Sequence, residues 1–266
     1  MIGPIIGDIA GSRFEWNNCR SKEFELFTGE CFATDDSIMS LAVCQALLES
    51  EGDPDTLARQ TVRRMRELGN LYPEAGYGGR FAEWLVQPDP QPYNSFGNGS
   101  AMRVGGCAYA GKTLDEVKAL SAAVTAVTHN HPEGIKGAEA TAVAQFLAIS
   151  GKSLAEIREA VTREYYPLDF TLDEIRSSYR FNETCQETVP QALEAFFEST
   201  SFEDAIRCAI SVGGDSDTLA AITGAVAEAY YGVPAAIRGK AESFLDERQL
   251  KILHDFEARY PGKAEI

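Results

Sequence analysis

Apolar positions recur along nearly the whole chain at helical spacing, and the breaks between them fall at glycines, prolines and polar caps. After Thr34-Asp35-Asp36-Ser37, apolar residues at 38, 41, 42 and 46 predict a buried helix with an acidic first turn. One of the two aspartates is expected to cap it. Asp53-Pro54 opens the next helix with a capping residue and a proline at the first helical position. Tyr77–Val86 reads as a short helix, and Gln87–Tyr93, with three prolines, as loop. Thr113, Ser153 and Thr171 each precede a glutamate by three residues, the pattern of a capping box. The helix after Thr113 is expected to run to His129, and Pro132 to start another through Ile149. Phe181–Thr188 reads as polar loop, with Pro190 beginning a helix to Phe197. Ser201 starts the helix that ends at Gly213, and Pro234–Arg238 and Asp246–Arg259 complete the set. No β-hairpin pattern and no internal repeat breaks this series. The expectation is an all-α fold, a compact helix bundle forming a single domain over residues 1–266.

Two of these helices have little side-chain bulk. Met1–Glu15 carries glycine at 3, 7 and 11, all on one helical face, which permits close approach of another backbone. Asp8 lies on it and reads as a buried, hydrogen-bonded aspartate. Glu15 falls where it must end, and its residue type alone fits a solvated or a functional acid equally. Ser211–Gly232 opens with Gly213-Gly214, sets Asp215, Asp217 and Thr218 within one turn, and continues through alanines and Gly224. A cap accounts for one of its aspartates and leaves the other unexplained.

Composition narrows the function classes. A formal net charge of −16 argues against nucleic-acid binding, which needs a basic face. The six cysteines show no CxxC pair or regular spacing, which reads as reduced thiols in a cytoplasmic protein. The N-terminus lacks a basic segment and is interrupted by Asp8, so no signal peptide is expected. No run is long and apolar enough for a membrane helix.

The chemistry concentrates at the two acidic helix starts. Thr34-Asp35-Asp36 and Asp215-Ser216-Asp217-Thr218 share two carboxylates and a threonine hydroxyl, hard oxygen donors suited to Mg²⁺, Mn²⁺ or Ca²⁺. An EF-hand reading from Asp215 fails, with Ala220 at position six and Val226 at position twelve. If the two clusters face each other, their four carboxylates require compensating cations, and Glu15 could complete the shell. His129 and His131 have only His254 as a further imidazole, which argues against zinc. Ser95–Arg103 is glycine-rich and enters a small-residue run, a weak signal for phosphate binding that lacks both the P-loop lysine and dinucleotide spacing.

Taken together, these motifs resemble the ADP-ribosylglycohydrolase family over nearly the whole chain. The resemblance rests on Gly7-Asp8 through Gly11-Ser12 and Glu15, Thr34-Asp35-Asp36, Ser95-Phe96-Gly97-Asn98-Gly99-Ser100-Ala101-Met102-Arg103, Thr128-His129, and Gly213 to Thr218. It implies an orthogonal all-α bundle, a centre of two divalent cations, Mg²⁺ or Mn²⁺, and hydrolysis of the glycosidic bond joining ADP-ribose to an acceptor. The metal ligands it implies are Thr34, Asp35, Asp36, Asp215, Asp217 and Thr218. Glu15 matches a mobile acidic residue near the metals, and Glu15 or Asp36 is the expected general base. Ser95, Phe96, Gly97, Asn98 and Gly99 match a loop holding the diphosphate and distal ribose, with Ser100 and Met102 completing the substrate contacts and His129 touching the ligand. Asn98 is expected to make a polar ligand contact. The implied partner is an ADP-ribosylated protein or a small ADP-ribosyl conjugate, acted on by a monomer. Glu228 stands where many family members have glycine. Two rival readings are another two-metal hydrolase of nucleotide-type substrates and a non-catalytic ADP-ribose-binding protein.

Overall fold

The computed structural model describes residues 1–262, so residues 263–266 of the expected domain lie outside the described residues. The described residues form fourteen α-helices and no strand. The first seven are α1 (Gly3–Gly11), α2 (Asp35–Ser50), α3 (Pro54–Leu71), α4 (Gly79–Val86), α5 (Gly105–Ala110), α6 (Leu114–Thr125) and α7 (Pro132–Ile149). They are followed by α8 (Leu154–Glu164), α9 (Leu172–Ile175), α10 (Cys185–Phe197), α11 (Phe202–Val212), α12 (Ser216–Tyr231), α13 (Ala235–Glu242) and α14 (Glu247–Arg259).

The glycine face of α1 lies directly on α12, and both helices are buried along nearly their whole length. A Cβ placed on Gly7 would sit 2.0 Å from the Ala220 carbonyl oxygen, and one on Gly3 2.3 Å from that of Gly224. At Gly11 it would lie 2.5 Å from Asp217 Cα. The contact is backbone on backbone, so it fixes the start of α12 against the end of α1. Gly7→Ala is therefore expected to destabilise the fold by about 1–3 kcal/mol through overpacking, against the gain of helix propensity. Denaturant unfolding measures it, and a variant as stable as the parent would rule out the backbone contact. The acid at 228 is accommodated because its carboxylate accepts the Gly3 N–H and pairs with the Met1 amine.

Several boundaries differ from the sequence expectation, among them a start at Gly79 for α4 and an end at Glu242 for α13. Neither Asp35 nor Asp36 caps α2; Thr34 does, its hydroxyl accepting the Asp36 N–H. Before α6, Thr113 accepts the Glu116 N–H, but the Glu116 carboxylate turns back to the Lys112 N–H, leaving half a capping box. That helix ends at Thr125, where the Thr125 carbonyl accepts the N–H groups of both Thr128 and His129 and turns the chain. Finally, α10 begins at Cys185 and holds Pro190 inside it. Buried Cys185, Thr188 and Val189 extend the helix N-terminally, so Pro190 falls in its second turn, where its missing N–H forfeits an intrahelical bond. The boxes at Ser153 and Thr171 form completely.

Candidate active site

The packing of α1 on α12 brings the acidic starts of α2 and α12 together. One carboxylate oxygen from each of Asp8, Asp36 and Asp217 lies within 4.8 Å of the other two, and the same holds for Glu15, Asp215 and Asp217. Asp217 belongs to both groups. Thr218 links the two helix starts directly, its hydroxyl donating to Asp36 Oδ2 at 3.2 Å. Asp35 lies at the partly exposed edge of this cluster and lines an adjoining cavity.

Asp8 is a buried, hydrogen-bonded aspartate, as its residue context predicts. Its carboxylate accepts the Thr34 N–H and hydroxyl at 2.9 and 2.6 Å and the N–H and hydroxyl of Ser37. It thereby ties the first turn of α2 to α1. Sequence reasoning placed it correctly but did not foresee that it faces Asp36 and Asp217.

The electrostatics of the cluster are one-sided. Among the described residues, none of these carboxylates pairs with a lysine, arginine or histidine. Burial, followed by repulsion from neighbouring carboxylates, holds Asp35, Asp36 and Asp217 well above the ordinary range. Asp8 is pushed up to about 6 by burial despite its four donors. Burial also raises Asp215, against the hydrogen bonds it accepts. Glu15, half-buried after the 3₁₀ turn Ser12–Phe14, is pushed up to about 7 by burial, then by Asp215 and Glu183. Asp36 Oδ1 is buried without a hydrogen-bond partner. A buried carboxylate oxygen left bare, inside a set of oxygen donors with no protein cation, fits a hard divalent ion.

Beside the cluster lies a cavity of about 280 Å³ lined by Asp35, Arg80, Tyr93, Gly99, His129 and Glu183 among others. Ser95, Gly97 and Met102 line it too, so the glycine loop does form one of its walls. Phe96 is exposed and lines a second cavity with Phe181 and Glu183. Ser100 faces inward, its hydroxyl donating to the Gly134 carbonyl at 2.9 Å, and so anchors the loop to α7. The Asn98 amide donates to Asp215 Oδ2 at 2.7 Å and to Thr188 at 3.2 Å, an orientation toward the carboxylates that sequence alone did not show. Within the loop, the Asn98 N–H is taken by the Glu183 carbonyl and that of Gly97 by Ser95. His129 is buried and held well below its ordinary pKa by burial, then by Arg103 and Arg80, so it is neutral. Glu183, Arg80 and Tyr93 were not anticipated at the site. Each sits in a stretch that reads as loop or solvated helix, and only the fold turns it toward the cavity.

The fold and the site define a class: an all-α protein with a carboxylate centre at two helix N-termini and a glycine-walled cavity beside it. The chain belongs to the ADP-ribosylglycohydrolase family, whose sequence pattern matches residues 1–260. It is 26% identical to ADP-ribosylhydrolase ARH3 of Homo sapiens, across 88% of this chain and 84% of that protein. It is 27% identical to ADP-ribosylarginine hydrolase Tri1 of Pseudomonas putida (strain GB-1), across 88% of this chain and 70% of that one. A solved structure titled ADP-ribosylglycohydrolase-related protein complex superposes with a TM-score of 0.65. It shares 24% identity and covers 97% of this chain and 91% of its own, which shows the fold.

Proposed function

We propose that this protein is a metal-dependent ADP-ribosyl hydrolase that cleaves the glycosidic bond between ADP-ribose and an acceptor on a protein or small molecule. The observation that carries the reading is the convergence of Glu15, Asp36, Asp215 and Asp217, with the bare Asp36 oxygen, next to a glycine-walled cavity. Thr34, Asp35, Asp36, Asp215, Asp217 and Thr218 would hold two divalent cations, Mg²⁺ or Mn²⁺. Bound there, these ions supply the charge that lets the carboxylates ionise together and Lewis acidity toward ribose hydroxyls and water.

The chain's own groups do the rest. Gly97 and Gly99 keep the cavity wall at backbone level, so a diphosphate approaches the loop closely. Cleavage at the anomeric carbon builds oxocarbenium-like positive charge on the ribose, which the surrounding carboxylates stabilise. Glu15 takes the proton of the attacking water: it is half-exposed and its carboxyl lies near neutrality, whereas Asp36 is enclosed. The pocket edge formed by Glu183 and by Phe181, on which Trp16 stacks, faces the acceptor. The six unpaired cysteines agree with a reducing, cytoplasmic setting, and we take the acting species to be a monomer.

The test is incubation with ADP-ribosylated peptides in Mg²⁺, in Mn²⁺ and after chelation. Release of free ADP-ribose that stops on chelation and returns with either ion is expected. AMP as product would replace this reading with a two-metal hydrolase that cleaves the diphosphate, and binding without turnover would make the protein a reader. Gly99→Val probes the cavity wall. A Cβ at Gly99 meets only ordinary contacts, His129 Nε2 at 3.7 Å and Met102 Cε at 3.8 Å, so the fold tolerates it. The branched side chain intrudes on the ligand instead, weakening ADP-ribose binding by at least about tenfold with an unchanged melting temperature. Calorimetric titration reads this, and equal affinity would place the ligand elsewhere.

A further inference from the structure

Arg103 forms part of the cavity wall and is a buried cation without a counter-ion among the described residues. Arg103 is 1% exposed, and among the described residues no carboxylate lies within ion-pair distance of it. Its Nη2 donates to Thr128 Oγ1 at 2.7 Å and to the Val124 carbonyl at 3.3 Å, and its Nε has no partner. Thr128 is fully buried, and its Oγ1 lies 2.7 Å from His129 Nδ1.

The available protons fix the direction of this hydrogen-bond relay. A guanidinium only donates, so the Arg103 bond occupies a lone pair of the threonine oxygen. The hydroxyl proton then needs an acceptor, and Nδ1 of His129 is the one in reach. With Nδ1 accepting, the neutral imidazole carries its proton on Nε2. That nitrogen faces the cavity between the two glycines: Cβ atoms on Gly97 and Gly99 would lie 3.4 and 3.7 Å from it.

We propose that Arg103 and Thr128 are positioning residues that hold His129 as the Nε2–H tautomer, a donor aimed at an anionic phosphate oxygen of the ligand. The uncompensated guanidinium adds positive potential to the same wall of an otherwise acidic site. The ligand class rests on the functional reading above; the tautomer does not.

With three histidines in the chain, nitrogen-15 chemical shifts of the imidazoles can be assigned individually. In the ligand-free protein, His129 should show an unprotonated Nδ1 and a protonated Nε2. Thr128→Val should weaken ADP-ribose binding about 10- to 100-fold, as expected for a hydrogen bond to a charged group, with Mn²⁺ binding unchanged. Thr128→Ser, which keeps the hydroxyl, should restore both the affinity and the wild-type spectrum. Arg103→Met should give a mixture of tautomers; if that variant does not fold, the wild-type spectrum and the Thr128 pair still decide. A proton on Nδ1 in the wild type, or wild-type affinity in Thr128→Val, overturns the proposal. An Nε2–H imidazole in a protein that binds no ADP-ribose instead overturns the functional reading and leaves the relay standing.

Discussion

Asp217→Asn is expected to lower turnover by at least about 100-fold while raising the melting temperature of the metal-free protein. Asp217 is shared by both carboxylate groups, so its loss reaches both at once. The substitution keeps the local bonds: an Asn oxygen can still accept the Thr218 N–H, now at 3.0 Å, and the new amide can donate to Asp215. What changes is charge. Burial, then Asp215 and Asp36, raise the Asp217 pKa well above its ordinary value. The folded protein therefore holds protons that the unfolded chain releases above the usual aspartate range. Where the folded state binds more protons, stability falls as pH rises. The metal-free wild type should accordingly melt lower at pH 8 than at pH 6, a slope that Asp217→Asn flattens. Adding Mg²⁺ or Mn²⁺ should raise the wild-type melting temperature most at the higher pH, and much less in the variant. Thermal scans at two pH values, with and without the ion, check both signs. Near-wild-type turnover in a folded Asp217→Asn protein would remove the carboxylate centre from the reaction.

Glu15→Gln should cost about 10²- to 10⁴-fold in kcat/KM, the usual range for a lost general base, with little change in stability. The residue is half-buried and joins no ion pair among the described residues, so the substitution removes no favourable charge pair, and any change in the metal-free protein is toward higher stability. Its carboxyl lies at about 7 because burial, Asp215 and Glu183 all disfavour the anion. A base works only when deprotonated, so wild-type kcat/KM should fall as pH drops through that pKa, tenfold per unit on the acid limb. Bound cations favour the anion and move the limb below 7. In Glu15→Gln the remaining rate should lack this limb. If the variant keeps both its rate and its limb, the proton goes to Asp36 instead.

Much of the architecture was legible because helix signals are local. Caps at Asp53, Ser153 and Ser201, prolines at 54 and 132, and the glycine spacing of α1 each act within a few residues or one helical face. The all-α class, the α1 glycine face and two acidic helix starts follow from such signals. Pro190 shows where they stop: a proline reads as a helix start, yet side chains packed a turn earlier carried α10 back to Cys185.

The composition of the site was also present in the sequence, but its geometry was not. Two aspartates beside a threonine state what could bind, and nothing local states that residues 36 and 217 meet. That meeting follows from three glycines letting α1 lie on the α12 backbone, a long-range contact whose partner no local pattern names. The same limit hid the direction of Asn98, whose neighbours suggest a ligand contact but whose amide is drawn to Asp215 across 117 positions of chain. It hid Arg103 as well, since the missing counter-ion of a buried cation is visible only once every neighbour is in place. Sequence determined which groups are available and which helices carry them; tertiary packing decided which groups share a low-dielectric volume. That volume sets their charge and protonation, because burial and proximity act through distance in space and not along the chain.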